Sequence, residues 1–218
     1  MNERAKILTI AVSGLLLVAI AVVVVAARGG GDEELPPASG AAQAETKDIK
    51  LDKPDEVVAP GEAATVTMET TEGTFTITLD TERAPETANN FAYLTDKRFY
   101  DGLGFHRIVP GFVIQGGDPQ GNGTGDPGYK VVEAPPSDLE YTPGLVAMAK
   151  AGDEESGTSG SQFFIVTGSG GSSLTPDYAL VGEVTDGMDV VNQIGELGGG
   201  DEQPTRSVVI KKATLKKG

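Results

Sequence analysis

Residues 7–27 run for 21 positions without a charge, reading ILTIAVSGLLLVAIAVVVVAA. As a helix, this run rises about 30 Å, the thickness of a bilayer's hydrocarbon core. Arg4 and Lys6 precede it, and Gly29-Gly30-Gly31-Asp32-Glu33-Glu34 follows. Basic residues mark the cytoplasmic flank of a span. The expected arrangement is a cytoplasmic stub at 1–6, a transmembrane signal anchor at 7–27, and an extracytoplasmic remainder at the cell membrane. A cleaved signal peptide is the competing reading and would give a secreted protein. Its apolar region, about 7–15 residues, would be shorter than this one. A lipid anchor on cysteine is excluded, because the chain has no cysteine.

Residues 28–60 are rich in Gly, Pro, Ala and acidic side chains and show no apolar periodicity. Such a composition reads as a flexible linker. From residue 61 the pattern changes. Residues 65–69 and 74–79 alternate in apolar and polar character around Glu72-Gly73, which predicts a hairpin. Pro85 opens a helix over 84–97, with Ala88, Phe91, Ala92 and Leu94 along one stripe. Strands are expected at 105–109, 112–115, 145–148, 163–166, 179–184 and 208–212, and a shorter helix at 189–197. Many short strands with two helices predict a mainly β domain, a barrel or sandwich with helical caps.

Charge and residue counts remove whole classes of function. The formal net charge is −15, and residues 61–218 hold 11 basic and 23 acidic side chains. Nucleic acid requires a basic face, so it is not the partner. With no cysteine and the single histidine His106, disulfides, thiolate zinc sites and multi-histidine metal sites are excluded. Asp153-Glu154-Glu155 sits in a glycine-rich stretch and reads as solvated acids. The sequence from Gly123 to Gly128 fits G-x-G-x-x-G, but it lacks the strand and helix that a nucleotide loop needs. No metal and no cofactor are expected.

Two segments carry the chemistry. One runs Phe105-His106-Arg107-Ile108-Val109-Pro110-Gly111-Phe112-Val113-Ile114-Gln115-Gly116-Gly117-Asp118. The other is Gly144-Leu145-Val146-Ala147-Met148-Ala149, followed after a loop by Gly160-Ser161-Gln162-Phe163-Phe164-Ile165. Together they resemble the cyclophilin family over nearly all of residues 65–215. The resemblance implies an eight-stranded antiparallel closed β-barrel capped by two α-helices. It also implies peptidyl-prolyl cis-trans isomerase activity without cofactor or metal.

The residues suit that reaction on physical grounds. Rotation about an amide is slow because nitrogen shares its lone pair with the carbonyl, and the barrier is about 18–20 kcal/mol. A catalyst need only favour the twisted state, in which the lone pair sits on nitrogen. A cation beside that nitrogen in an apolar cleft would do so. Arg107 supplies a permanent cation. Phe112, Val113, Phe164 and Leu174 would form a dry pocket for the proline ring, and Gln115 and Gln162 would hold the substrate backbone. Val113 shares a strand face with Gln115, as Gln162 does with Phe164. Phe112 would face the other way unless the chain bends after Pro110-Gly111. It joins the pocket by resemblance alone.

In the family's pattern Arg107, Phe112, Gln115, Ala149, Gln162, Phe164 and Leu174 match site positions. Val113 stands where methionine is frequent, Lys150 for an asparagine, Ser173 for a tryptophan and Tyr178 for a histidine. The catalytic set is therefore Arg107, Phe112 and Gln115. The substrate-binding set is Val113, Ala149, Lys150, Gln162, Phe164, Leu174 and Tyr178. Without the tryptophan, cyclosporin should bind weakly. His106 is expected to point away from Arg107 as a packed histidine, and Phe163 is expected in the core.

The expected protein is a monomeric isomerase that helps proline-containing unfolded or exported polypeptides fold, held at the membrane by its N-terminal helix. The alternative is a chaperone or scaffold module that binds proline peptides with little catalysis.

Overall fold

The computed structural model describes residues 44–218, and the proposed anchor at 7–27 lies outside them. Among the described residues no helix is long and apolar enough to cross a membrane.

Alternating β-branched residues build the first hairpin, β1 (Ala64–Thr70) and β2 (Thr74–Leu79). Val66 faces Ile77 and Met68 faces Phe75 across it, and all four are buried. Helix α1 (Pro85–Asp96) follows, with proline in its first turn, where a missing N–H costs nothing. Then come β3 (Phe105–Val109), β4 (Val113–Gly116), β5 (Val131–Val132), β6 (Leu145–Met148), β7 (Thr158–Ser159) and β8 (Phe163–Val166). A 3-10 turn at Ser169–Ser173 leads to β9 (Leu180–Asp186), α2 (Met188–Gly195) and β10 (Ile210–Lys217).

Eight strands form one antiparallel sheet in the order β10-β1-β2-β9-β6-β8-β4-β3. The expected closed barrel is corrected here: the sheet is a curled half-barrel. Its edge strands β3 and β10 share no ladder. They meet around the isolated bridge Gly104–Val209, where the Phe105 amide donates to Val208 O (3.0 Å), the Ile210 amide to Leu103 O (2.8 Å) and the Gly102 amide to Ile210 O (2.7 Å). The strands β5 and β7 pair in a separate sheet that the sequence pattern did not reveal. Strands of two residues are too short to show a period of two.

The expected linker also changes in its described part. Residues 44–60 carry no helix or strand, yet they are bonded along the domain. The Glu45 amide donates to Gly102 O (2.8 Å) and the Leu51 amide to Pro127 O (2.7 Å). Val57 and Val58 amides both donate to Asn89 Oδ1, and Val58 is buried. Sparse apolar residues (Ile49, Leu51, Val57) suffice here because they pack on a preformed core.

The period of two divides the sheet into two apolar clusters. Ile114, Val146, Met148, Phe163 and Ile165 point into the main core. Their chain neighbours Val113, Leu145, Ala147, Phe164 and Val166 form a second cluster on the opposite face. Phe163 anchors the inner side, with Phe91, Tyr100 and Phe105 edge-on at ring distances of 5.3, 5.4 and 6.0 Å. Truncating such a ring costs about 3–5 kcal/mol.

Candidate active site

Register aligns the site. Arg107 on β3 pairs with Gln115 on β4, Gln115 with Phe164 on β8, and Phe164 with Ala147 on β6. Paired positions share a face, so a cation, an amide, an aromatic ring and a methyl lie in one row across four strands. Arg107 Nη1 donates to Gln115 Oε1 (3.4 Å), and Gln115 Nε2 donates to Gln162 Oε1 (3.1 Å). Gln162 Nε2 donates in turn to the carbonyls of Gly123 and Gly125, both at 3.0 Å.

That last step depends on Asp118, a fully buried carboxylate. It accepts the amides of Gln120 (2.8 Å), Asn122 (2.9 Å) and Gly123, and so sets the loop that presents both carbonyls. Gly125 must lack a side chain, because a Cβ there would lie 2.1 Å from Asp118 Oδ1.

Phe112 reaches the outer face because the chain bends. Gly111 has φ +72°, a conformation open mainly to glycine, and β4 starts only at Val113. The Phe112 amide closes a turn on Val109 O (3.0 Å) and its carbonyl accepts the Thr167 amide (2.8 Å). Its ring joins Val113, Phe164 and Leu174 in the outer cluster. Leu174 follows the 3-10 turn, and its amide donates to Gly171 O (2.9 Å). Ala149 is fixed by donation to Gln162 O (2.9 Å). It lines a cleft of about 440 Å³ with Gln115, Gln162, Gly125 and Lys150.

Tyr178 is set edge-on to Phe164, with ring centroids 5.3 Å apart. Lys150 behaves unlike a substrate ligand at its amine. The Nζ is paired with Asp177 (2.9 Å) and donates to Glu154 O (3.1 Å), and it lies 5.8 Å from the Tyr178 ring centroid. The bond to Asp177 raises the Lys150 pKa and lowers that of Asp177. The side chain thus joins the 151–157 loop to residues 177–178. Lys150 takes part in the cleft as lining beside Ala149, with its amine turned to Asp177.

His106 departs from expectation. A bulge between Phe105 and Arg107 breaks the alternation. His106 therefore lines the same cavity as Arg107, about 380 Å³, with Gln115, Asn122 and Glu202. Its Nδ1 is buried and has no hydrogen-bond partner among the described residues. Burial lowers its pKa, the Arg107 cation lowers it further, and Asp118 opposes both.

Three contributors escape sequence reading. Tyr141 holds Tyr178 by its backbone, Asp118 sets the glycine loop, and Glu202 pairs with Arg107 Nε at 2.6 Å. Asp118 at least ends the QGGD string. Tyr141 and Glu202 lie in irregular segments where no local pattern announces a long-range contact.

A curled antiparallel sheet with this row on its outer face couples a cation to an apolar patch, the geometry of a candidate peptide site. Comparison with known proteins gives it a family. The model of the cyclophilin type peptidyl-prolyl cis-trans isomerases matches residues 65–215. The peptidyl-prolyl cis-trans isomerase A of Mycobacterium tuberculosis is 39% identical over 176 residues, covering 72% of this chain and 94% of the relative. The peptidyl-prolyl cis-trans isomerase-like 1 of Neurospora crassa is 42% identical over 158 residues, covering 70% and 94%. A crystal structure of a Cryptosporidium parvum cyclophilin type isomerase in the presence of the dipeptide Ala-Pro matches with a TM-score of 0.65 at 29% identity. The match covers 71% of this chain and 99% of that one. The chain belongs to the cyclophilin-type peptidyl-prolyl cis-trans isomerase family and is an isomerase of that type.

Proposed function

We propose that Arg107 drives the isomerisation by stabilising the twisted X–Pro amide while the proline ring rests on Phe112, Val113, Phe164 and Leu174. One observation carries this reading: Arg107, Gln115 and Phe164 are successive register partners on one face. Gln115, Gln162 and Ala149 hold the substrate backbone, and Tyr178 forms the rim. As the amide twists, the nitrogen regains its lone pair and becomes a hydrogen-bond acceptor. The guanidinium then donates to it and interacts more strongly with the twisted state than with either planar isomer. No bond breaks, and no nucleophile or metal takes part.

The magnitudes limit what Arg107 does alone. Uncatalysed exchange runs at roughly 0.01 per second. A turnover of about 100 per second requires roughly 5–6 kcal/mol off the barrier. One charge-assisted hydrogen bond contributes about 1.5–3 kcal/mol. Positioning along the Gln115–Gln162 chain and desolvation on the apolar patch supply the remainder.

The substrates we propose are proline-containing segments of unfolded exported chains, met outside the cytoplasm by a monomeric domain tethered through residues 7–27. The uncharged run and its basic flank support this placement. Protease added to intact cells would then remove the domain, and protection from it would contradict the placement.

The activity itself is tested by NMR exchange in a short Ala-Pro peptide with catalytic amounts of the full chain. Exchange accelerated by orders of magnitude is expected. A folded chain that binds the peptide without accelerating exchange would be a binding module instead.

A further inference from the structure

We propose that Glu202 is a positioning residue for Arg107, a role that rests on the assignment of Arg107 as the catalytic cation. The Glu202 carboxylate accepts Arg107 Nε–H at 2.6 Å, while Arg107 Nη1 donates to Gln115 at 3.4 Å. These contacts fix two edges of a planar group. The remaining guanidinium donors have no partner among the described residues and stay available to a substrate amide.

Glu202 is built into place at a conformational cost. Its φ is +65°, a left-handed conformation that residues with a Cβ avoid. Gly198, Gly199 and Gly200 stand just before it, and none of them is left-handed. A turn selected for stability alone would put a glycine at the strained position. This turn puts a carboxylate there.

The surrounding segment is stitched together and to β3. The Ile108 amide, next to Arg107, donates to Glu202 O (2.7 Å), and the Glu202 amide donates to Gly199 O (3.1 Å). Gly199 N–H donates to Gln203 O (2.7 Å), and Gly198 bridges Pro204. The carboxylate is thereby held by the same strand that carries its partner.

A paired carboxylate also opposes the charge of the cation. Exposure decides between the two effects. The side chains are 35% (Arg107) and 52% (Glu202) exposed, so solvent screens the charge while the geometry persists. Orientation is the larger effect.

The test compares full-length wild type with Glu202→Gly, Glu202→Gln and Arg107→Ala in the X–Pro exchange assay, with thermal unfolding alongside. Glu202→Gly relieves the strained conformation, so its unfolding midpoint should hold or rise. Its kcat should nevertheless fall about three- to tenfold, with KM changed less than about twofold. Glu202→Gln keeps an acceptor for Nε–H and should recover part of the loss. Combined with Arg107→Ala, Glu202→Gly should add no further loss. Normal kcat in Glu202→Gly beside an impaired Arg107→Ala overturns the role of Glu202 alone, as does a loss that merely follows a lowered midpoint. Full activity in Arg107→Ala overturns the assignment of Arg107, and this proposal with it.

Discussion

Tyr141 grips both backbone groups of Tyr178: its hydroxyl donates to the Tyr178 carbonyl (2.8 Å) and accepts the Tyr178 amide (3.0 Å). Burial raises the pKa of that hydroxyl, so it remains a donor across the physiological range. Tyr141→Phe keeps the ring but strands two polar groups. A loss of about 1–3 kcal/mol in urea unfolding is expected. Because Tyr178 packs on Phe164, KM for a proline peptide should rise more than kcat falls.

The first turn of α1 lacks a side-chain cap of its own, since Ala84 stands at that position. Glu133, far along the chain, takes the place of one. Its carboxylate accepts the amides of Glu86 (3.1 Å) and Thr87 (2.8 Å) and the Thr87 hydroxyl (2.6 Å). It also complements the positive end of the helix. Glu133→Ala should cost about 1 kcal/mol, at the level of losing an N-cap, read from the urea midpoint.

His106 sets a pH dependence of stability. Its folded pKa lies below the ordinary value of 6.5, chiefly through burial. The unfolded chain therefore binds a proton first as pH falls, and protonation favours unfolding. Stability linked to His106 is present above about pH 6.5, begins to decline there, and levels off once pH is below the folded value. Urea midpoints measured between pH 8 and pH 5 should show this decline in wild type, and His106→Gln should lack that component.

Much of the fold was legible because strand and helix periods are local. The alternation at Phe163 and Phe164 separated a core ring from a site ring, and the structure puts them in different clusters. The strands either side of Pro110-Gly111 were legible, although only the bend at Gly111 explains why Phe112 shares a face with Val113. What local patterns cannot carry is closure and distance. Whether β3 and β10 join depends on two segments about a hundred residues apart, and they meet at one isolated bridge and the few backbone hydrogen bonds around it rather than along a ladder. The His106 bulge adds a residue to one strand and so reverses a prediction made from strict alternation. Lys150 was placed by a family position, but its partner Asp177 is set by loop packing.

Ser173 ends the 3-10 turn, exposed, with its hydroxyl donating to Gly170 O (2.8 Å). The resemblance puts a tryptophan at this position in many relatives. Calorimetric titration with cyclosporin should show weak binding to wild type and tighter binding, by about tenfold or more, to Ser173→Trp. A large indole there would add buried aromatic contact.

The most direct test of the account is the X–Pro exchange rate of one short peptide with wild type, Arg107→Ala and Arg107→Lys. Arg107→Ala should lose about tenfold or more in kcat with the fold intact. Arg107→Lys should regain part of it, because the charge returns without the planar fork. Wild-type exchange rates in Arg107→Ala would contradict the mechanism, since the cation would then have no part in lowering the barrier.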